Sequence, residues 1–332
     1  MTTAQQQSVK GVDIGTSRLV LATTNGEAVD FTPQLNAFVA IPYSKMTEQM
    51  LARENILHQV EAGHIFAYGN RADEFAKFLN GDTRRPMRSG LLNPTEPKNL
   101  EMIELLIGRL CGKAARGEKL CLSVPSAPPG DGSDLIFHER SVQGIFEKLG
   151  YQAQSVNEGL AIVFSELKDA NFTGIGMSFG GGMCNICLAY LGLPVFTIAT
   201  TRAGDYIDQS ASSVTGETPT TIRLHKENGF AIDDATGAAI DRALSVYYAE
   251  VIETAVTALQ AAMTASRKLP RFTAPIPIVC AGGTAMAGNF LARLRAIIAE
   301  TALPVAISDV YLARDPLNAT AKGALVGAML NM

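Results

Sequence analysis

Three short turns, each placed where an apolar run ends, hold the residues of this chain best suited to chemistry. They are Asp13-Ile14-Gly15-Thr16-Ser17, Gly180-Gly181-Gly182 and Gly282-Gly283-Thr284. Glycine lets backbone N–H groups close around a phosphate with no side chain in the way. A carboxylate at a strand end, beside small hydroxyls, suits a hydrated Mg²⁺ at Asp13, with Thr16 and Ser17 on phosphate oxygens. The third turn opens a helix and offers donors and a flat surface to a nucleotide. One such turn is a weak signal; three in this order are more specific. The second turn raises a question. It follows Met177-Ser178-Phe179, with no acid where a phosphate site usually supplies one for its metal.

The elements that must position these turns read as an α/β chain. "KGVDIGTSRLVLATTNGE" is a hairpin pattern, and "FVAIPYS" and "KLCLSVP" are strands. "RADEFAKFL" and "SDLIFHERSVQGIFEKLGY" read as helices, the latter capped by Ser133 or Asp134. In "NLEMIELLIGRLCGKAARG", Leu100, Ile103, Ile107 and Leu110 recur at helical spacing. "GDTRRPMRSGLLNP" is turn-rich, a return crossing whose Arg84-Arg85 pair is expected as a solvated turn or as a contact to an acidic neighbour in an assembly. The second half opens again on strand, glycine turn and strand. "GAAIDRALSVYYAEVIETAVTALQAAMTASRKL" is one long helix or two, "IPIVCAGGTAMAGNFLARLRAII" a last strand, turn and helix, and "NATAKGALVGAMLNM" a terminal helix. Alternating strands and helices predict mostly parallel sheets, here in two similar halves facing a cleft.

Composition narrows the classes. The 332 residues suffice for two domains, with 47% hydrophobic and 18% charged residues. A formal charge of −4 argues against a nucleic-acid surface. The polar start "MTTAQQQSVKGVDIG" has no signal-peptide core, and the longest apolar run is interrupted by Gly192 and Pro194. A cytoplasmic protein without a direct membrane anchor is therefore expected. Five cysteines fit reduced thiols, and Cys184 and Cys187, three apart in a strand, point to opposite faces. His58, His64 and His138 show no ligand spacing.

Ten segments in order, among them "DIGTSR", "RRPMRSGLL", "NEGLA", "SFGGGMCNICLA", "RAGDYID", "RLHKENG" and "CAGGTAMAGNF", resemble the actin-like ATPase superfamily, most closely bacterial actins of the MreB and MamK type. The resemblance spans nearly the whole chain. It implies a duplicated, ribonuclease H-like, two-lobed α/β fold with ATP or ADP and Mg in an interlobe cleft. The implied first lobe covers 9–168, with a small part at about 31–83. The second covers 169–332, with a small part at about 203–275 and a C-terminal helix returning to the first lobe. By resemblance Gly15, Thr16, Ser17 and Arg18 belong to the first phosphate loop, with Asp13 facing the metal. Gly180, Gly181, Gly182 and Met183 form the second loop, and Gly204 and Asp205 the glycine-acid turn near ribose and phosphates. Arg223, His225 and Glu227 border base and ribose, and Gly282, Gly283, Thr284, Ala285 and Met286 lie against the nucleoside. Glu158 stands where the family carries the acid that orients the attacking water; by its place alone it is a helix-start acid.

The departures bear on function. Ser178 and Met183 replace the usual Asp and Thr of the second loop, Gly159 a common Pro, and His225 a usual Lys. Losing one positioned polar group costs about 10²–10³ in rate, so ATP binding with slow hydrolysis is expected, unless a water or Asp205 takes over the metal contact. The implied role is a nucleotide-dependent filament former, self-associating and served by protein adaptors. The alternative is a non-polymerising nucleotide-binding scaffold. No peptide-binding domain is expected after "AKGALVGAML", which disfavours a heat-shock-type chaperone. No signature of a sugar or acetate kinase is present.

Overall fold

The computed structural model describes residues 9–26, 28–78, 83–127, 133–233, 237–266 and 269–330. Strands β1 (Val9–Ile14), β2 (Arg18–Thr24) and β3 (Val29–Leu35) form an antiparallel meander. A small sheet follows, from β4 (Phe38–Pro42), β5 (His58–Glu61) and β6 (His64–Tyr68), flanked by α1 (Lys45–Arg53) and α2 (Ala72–Phe78). The hairpin β7 (Met87–Arg88) and β8 (Leu91–Leu92) returns the chain to the main body. Then α3 (Asn99–Cys111), β9 (Lys119–Val124), α4 (Ser133–Lys148) and β10 (Gln152–Asn157) complete the half. β9 pairs in parallel with both β1 and β10, so the sheet order is β10-β9-β1-β2-β3.

After α5 (Glu158–Glu166) the plan repeats. β11 (Gly174–Phe179), β12 (Cys184–Tyr190) and β13 (Leu193–Thr200) form a second meander. Helices α6 (Gly204–Thr215), α7 (Pro219–Glu227) and α8 (Ala239–Ala265) follow. β14 (Ile276–Ala281), a 3₁₀ turn (Gly283–Met286), α9 (Phe290–Glu300), β15 (Ile307–Leu312) and α10 (Ala319–Leu330) end the chain. The order β13-β12-β11-β14-β15 is the first sheet's order read from the other edge. This is the duplicated, two-lobed actin-like fold.

Several expectations are refined. The segment Ile276–Ala281 is not the last strand, because β15 pairs beyond it in parallel. "ISDVYL" alternates weakly and buries only Val310 fully, so it carries little apolar signal. The long helical stretch is one helix, α8. In α3 the buried face is Met102, Ile103, Leu106 and Ile107, and Leu100 is exposed.

Two features position the cleft. Phe179, at the end of β11, packs edge-on against Phe290 of α9 with ring centroids 4.9 Å apart, and Phe290 meets Tyr248 of α8. Such contacts are worth about 0.5–1.5 kcal/mol each beyond area burial, and they fix the second glycine turn from below. Between the two sheets, α5 and α10 lie against each other. Gly323 sits so close to Ala161, and Gly11 to Leu325, that a Cβ at either glycine would overlap backbone. Within β12, Cys184 joins the core under α8 while Cys187 faces the α5 side, as strand alternation requires.

Candidate functional site

β1 delivers Asp13 to the floor of a cleft of about 800 Å³ between the lobes. The turn after it closes by a Gly15 N–H donated to the Arg18 carbonyl, 3.0 Å, and Asn36 Nδ2 donates to the Gly15 carbonyl, 2.9 Å. Ser123 of β9 orders the acid itself, accepting from the Ile14 N–H and donating Oγ to Asp13 Oδ1 at 2.7 Å. The second turn closes by a Gly180 N–H to the Met183 carbonyl, 3.0 Å. Gly204 and Asp205, at the start of α6, donate their N–H groups to the Gly180 and Gly181 carbonyls at 3.1 and 2.7 Å. Thr284 Oγ1 donates to the Gly180 carbonyl, 2.9 Å, so the third turn is tied to the second.

These turns approach so closely that side chains are excluded. A Cβ at Gly181 would meet Ser17 Oγ, and one at Gly182 would collide with Gly90 N and Thr16 Oγ1. Gly282 has φ +94° and lies against the Phe179 backbone, where a side chain would be both strained and blocked. The result is a stretch of cleft lined by backbone rather than by side chains, the kind of lining on which N–H groups can meet an anion.

Two acids converge at its floor. Glu158 opens α5, whose first turn is capped by Asn157 Oδ1. Its Oε2 accepts from Asn185 Nδ2 at 2.9 Å, and Ser178 hydrogen-bonds to it as well. Burial pushes Glu158 up to about 8, and the charge of Asp13 adds to that; the bonds from Ser178 and Asn185 act in the opposite direction. Asp13 is also raised, by burial above all, against Ser123 and Arg18. The residue type at 178 now has a physical reading: an aspartate there would be a further carboxylate beside Glu158, whereas serine supplies a hydroxyl to it.

The donor set fits a hard, hydrated cation. Among the described residues no three His, Cys, Asp or Glu side chains form a metal cage. A single strand-end carboxylate beside a phosphate cradle suits Mg²⁺, which keeps most of its waters and takes the rest of its ligands from phosphate.

At the cleft's other end the lining is made of side chains. On α7, capped by Thr218, Arg223, Lys226 and Glu227 stand at i, i+3 and i+4 and line the cleft together. Lys226 Nζ donates to Asp208 Oδ1 at 2.6 Å and to the Gly204 carbonyl at 3.2 Å. Phe230 and Tyr248, stacked at 5.5 Å, and Met286, half exposed, complete an apolar wall.

Of the residues the sequence nominates, Asp13, Gly15, Thr16, Ser17, Arg18, Glu158, Gly180, Gly181, Gly182 and Met183 all line this cleft. So do Gly204, Asp205, Arg223, Glu227, Gly282, Gly283, Thr284 and Met286. Two do not. His225 turns to α8, where Nε2 lies 2.6 Å from Asp241 Oδ1. Ala285 is buried in the core under α8. Lys226, Asp208 and Asn185 are lining residues that the sequence reading passed over; the helical phase of α7 was the available signal for Lys226.

The arginine pair of the return crossing, expected as a solvated turn or an assembly contact, is engaged within the chain on both sides. Arg84 holds Glu96 through two hydrogen bonds, at 2.8 and 2.5 Å. Arg85 reaches the other lobe, with Nη1 3.1 Å from Asp205 Oδ1. Further along, the Gly90 N–H donates to Thr16 Oγ1 at 3.0 Å and Leu92 N–H to His138 Nδ1 at 3.2 Å. Met183, where a threonine was expected, is buried with its sulfur over Gly90. A second pair, Arg223 to Asp73 of α2 at 3.3 Å, bridges the lobes at the cleft rim.

A family model described as Volactin matches residues 9–328. No curated protein matches by sequence. Among solved structures, a MamK double helical filament is 17% identical over 97% of this chain and 98% of its own, with TM-score 0.72. MreB5 of Spiroplasma citri bound to AMPPNP is 12% identical, with 98% and 97% covered and TM-score 0.65. The ethanolamine utilization protein EutJ from Carboxydothermus hydrogenoformans is 15% identical, with 98% and 91% covered and TM-score 0.53. At these identities the likeness shows the fold. Among the described residues no helix is long and apolar enough to cross a membrane.

Proposed function

We propose, from the premise that this chain belongs to the Volactin family and carries the bacterial-actin fold, that it binds ATP or ADP with Mg between its lobes and assembles into nucleotide-dependent filaments in the cytoplasm. The observation that carries this reading is the convergence of three glycine turns and two acids on one cleft of about 800 Å³, within the size range of small-molecule sites. In this reading the lobes span 9–168 and 169–332. The MamK and MreB5 structures, a filament and nucleotide complexes, support the two halves of the proposal by likeness of fold.

The chain's own residues divide the work. The Gly15 and Gly180 N–H groups close their own turns, so the N–H groups of Thr16, Ser17, Gly181 and Gly182 hold phosphate oxygens, a contact that does not depend on side-chain identity. Bound Mg²⁺ would neutralise phosphate charge beside Asp13. Glu158 takes the proton of a water at the phosphate end. Its carboxyl, raised by burial to about 8, holds its proton into the neutral range, so it is not available as a base until a nearby cation lowers that value. Ser178 occupies one of its acceptor positions and supplies no charge, and Met183 offers no hydroxyl. Hydrolysis is therefore slow while binding persists.

High-speed sedimentation with Mg-ATP, Mg-ADP or no nucleotide, over a range of protein concentrations, tests the proposal. Pelleting above a critical concentration only with ATP supports it. Protein that stays in the supernatant throughout replaces it with a nucleotide-binding scaffold that does not polymerise.

A further inference from the structure

The hairpin β7–β8 and the residues before it form a strap, anchored in the first lobe and laid across the phosphate end of the cleft. Its anchors are strong. Arg84 exchanges backbone hydrogen bonds with Phe38, at 2.9 and 2.7 Å, and its guanidinium grips Glu96. Next in sequence, Arg85 points the other way, to the second lobe. Its partner Asp205 is half-buried, as Arg85 is, and the Asp205 N–H is bonded to the Gly181 carbonyl. The strap's far end is bonded to Thr16 of the first phosphate turn. One short segment thus touches both phosphate turns, and one charged pair joins it to the glycine-acid turn across the cleft.

From this geometry we infer that Arg85 is a positioning residue for bound nucleotide. Its guanidinium clamps the Gly204–Asp205 turn onto the second phosphate turn, and the Arg85–Asp205 pair must part before nucleotide leaves. This rests on the reading of the cleft as a nucleotide site, and it assigns control of exchange to a residue outside the cleft lining. The pair suits that task physically. Both partners keep enough solvent contact to separate without stranding a buried charge. A partly exposed pair of this kind is worth up to about a fivefold change in an equilibrium.

The test has two readouts on the full chain. In nucleotide-free protein, hydrogen exchange at the Gly90 and Asp205 amides should rise about fivefold in Arg85→Ala, with core β11 amides unchanged and partial recovery in Arg85→Lys. With a fluorescent ADP analogue, dissociation should quicken by a similar factor in Arg85→Ala while association changes less. Wild-type exchange at both amides overturns the inference. So does loosened exchange with an unchanged dissociation rate, or general loosening that includes β11. If wild-type protein holds no nucleotide while Arg85→Ala still frees only those two amides, the clamp stands and the nucleotide reading falls.

Discussion

The two phosphate turns are built on the same plan and carry different chemistry. Each follows the first strand of an antiparallel meander, in sheets of matching order. Each closes on itself by one N–H to carbonyl bond of 3.0 Å. The first keeps an acid with a dedicated hydrogen-bond donor in Ser123 and two hydroxyls toward the cleft. The second has a serine turned to Glu158 and a methionine buried under the strap. On the proposed reading, the comparison separates holding a phosphate from reacting it as properties of one backbone. The first needs only the turn; the second needs particular side chains at its ends.

If that separation is right, restoring the side chains restores the chemistry. Ser178→Asp with Met183→Thr should raise ATP hydrolysis by about 10²-fold, read as phosphate release, with nucleotide affinity little changed. No gain in rate would break the comparison. The backbone half is probed at Gly182, where Gly182→Ala drives a methyl into Gly90 and Thr16. Overpacking of about 1–3 kcal/mol should weaken nucleotide binding tenfold or more in a titration; unchanged affinity would show that the cradle is not the binding element.

A third experiment sharpens the role of the acids. Because the folded-state value of Glu158 lies near 8, above its ordinary value of 4.5, the native state holds this proton more tightly than the unfolded chain. Its contribution to stability is full below about 4.5 and is lost as pH rises toward 8. Glu158→Gln should therefore raise the melting temperature of nucleotide-free protein at pH 8 by roughly 2–4 °C and leave it unchanged at pH 4. An equal shift at both pH values would rule this out. The same titration predicts that residual hydrolysis climbs with pH through about 8. The smallest effect belongs to the rim pair: Asp73→Asn should speed nucleotide exchange only about two- to fivefold, and a larger effect than that of Arg85→Ala would move the control point to the rim.

What the sequence made legible was local. A glycine turn after an apolar run is visible within ten residues, and β11 buries all six of its residues, so the turns and the duplicated halves could be read directly. The cross-lobe pairs were not. Arg85 and Asp205 are 120 residues apart, and a charged residue on a turn carries no local mark of its partner. Lys226 was overlooked for another reason. Family register points to position 225, but α7 turns 225 toward Asp241 of α8 and brings 223, 226 and 227 to one face. Ala285 lies apart for a similar reason, because a 3₁₀ turn sends Thr284 and Met286 to the cleft and Ala285 to the core.

The seam between α5 and α10 has mechanical meaning. Where Gly323 of α10 meets Ala161 of α5 there is no space for a methyl group, and Gly11 of β1 lies as closely under Leu325 of α10, so sliding α5 past α10 would bring a steric clash. Any relative motion of the lobes would then be rotation about that line, like a door on a tight pin. Displacement then grows with radius: it is least at Glu158, which starts α5 itself, and greatest at α2 and α7, whose Asp73 and Arg223 meet at the rim. A molecule geared this way would keep Glu158 nearly still while its outer edges travel.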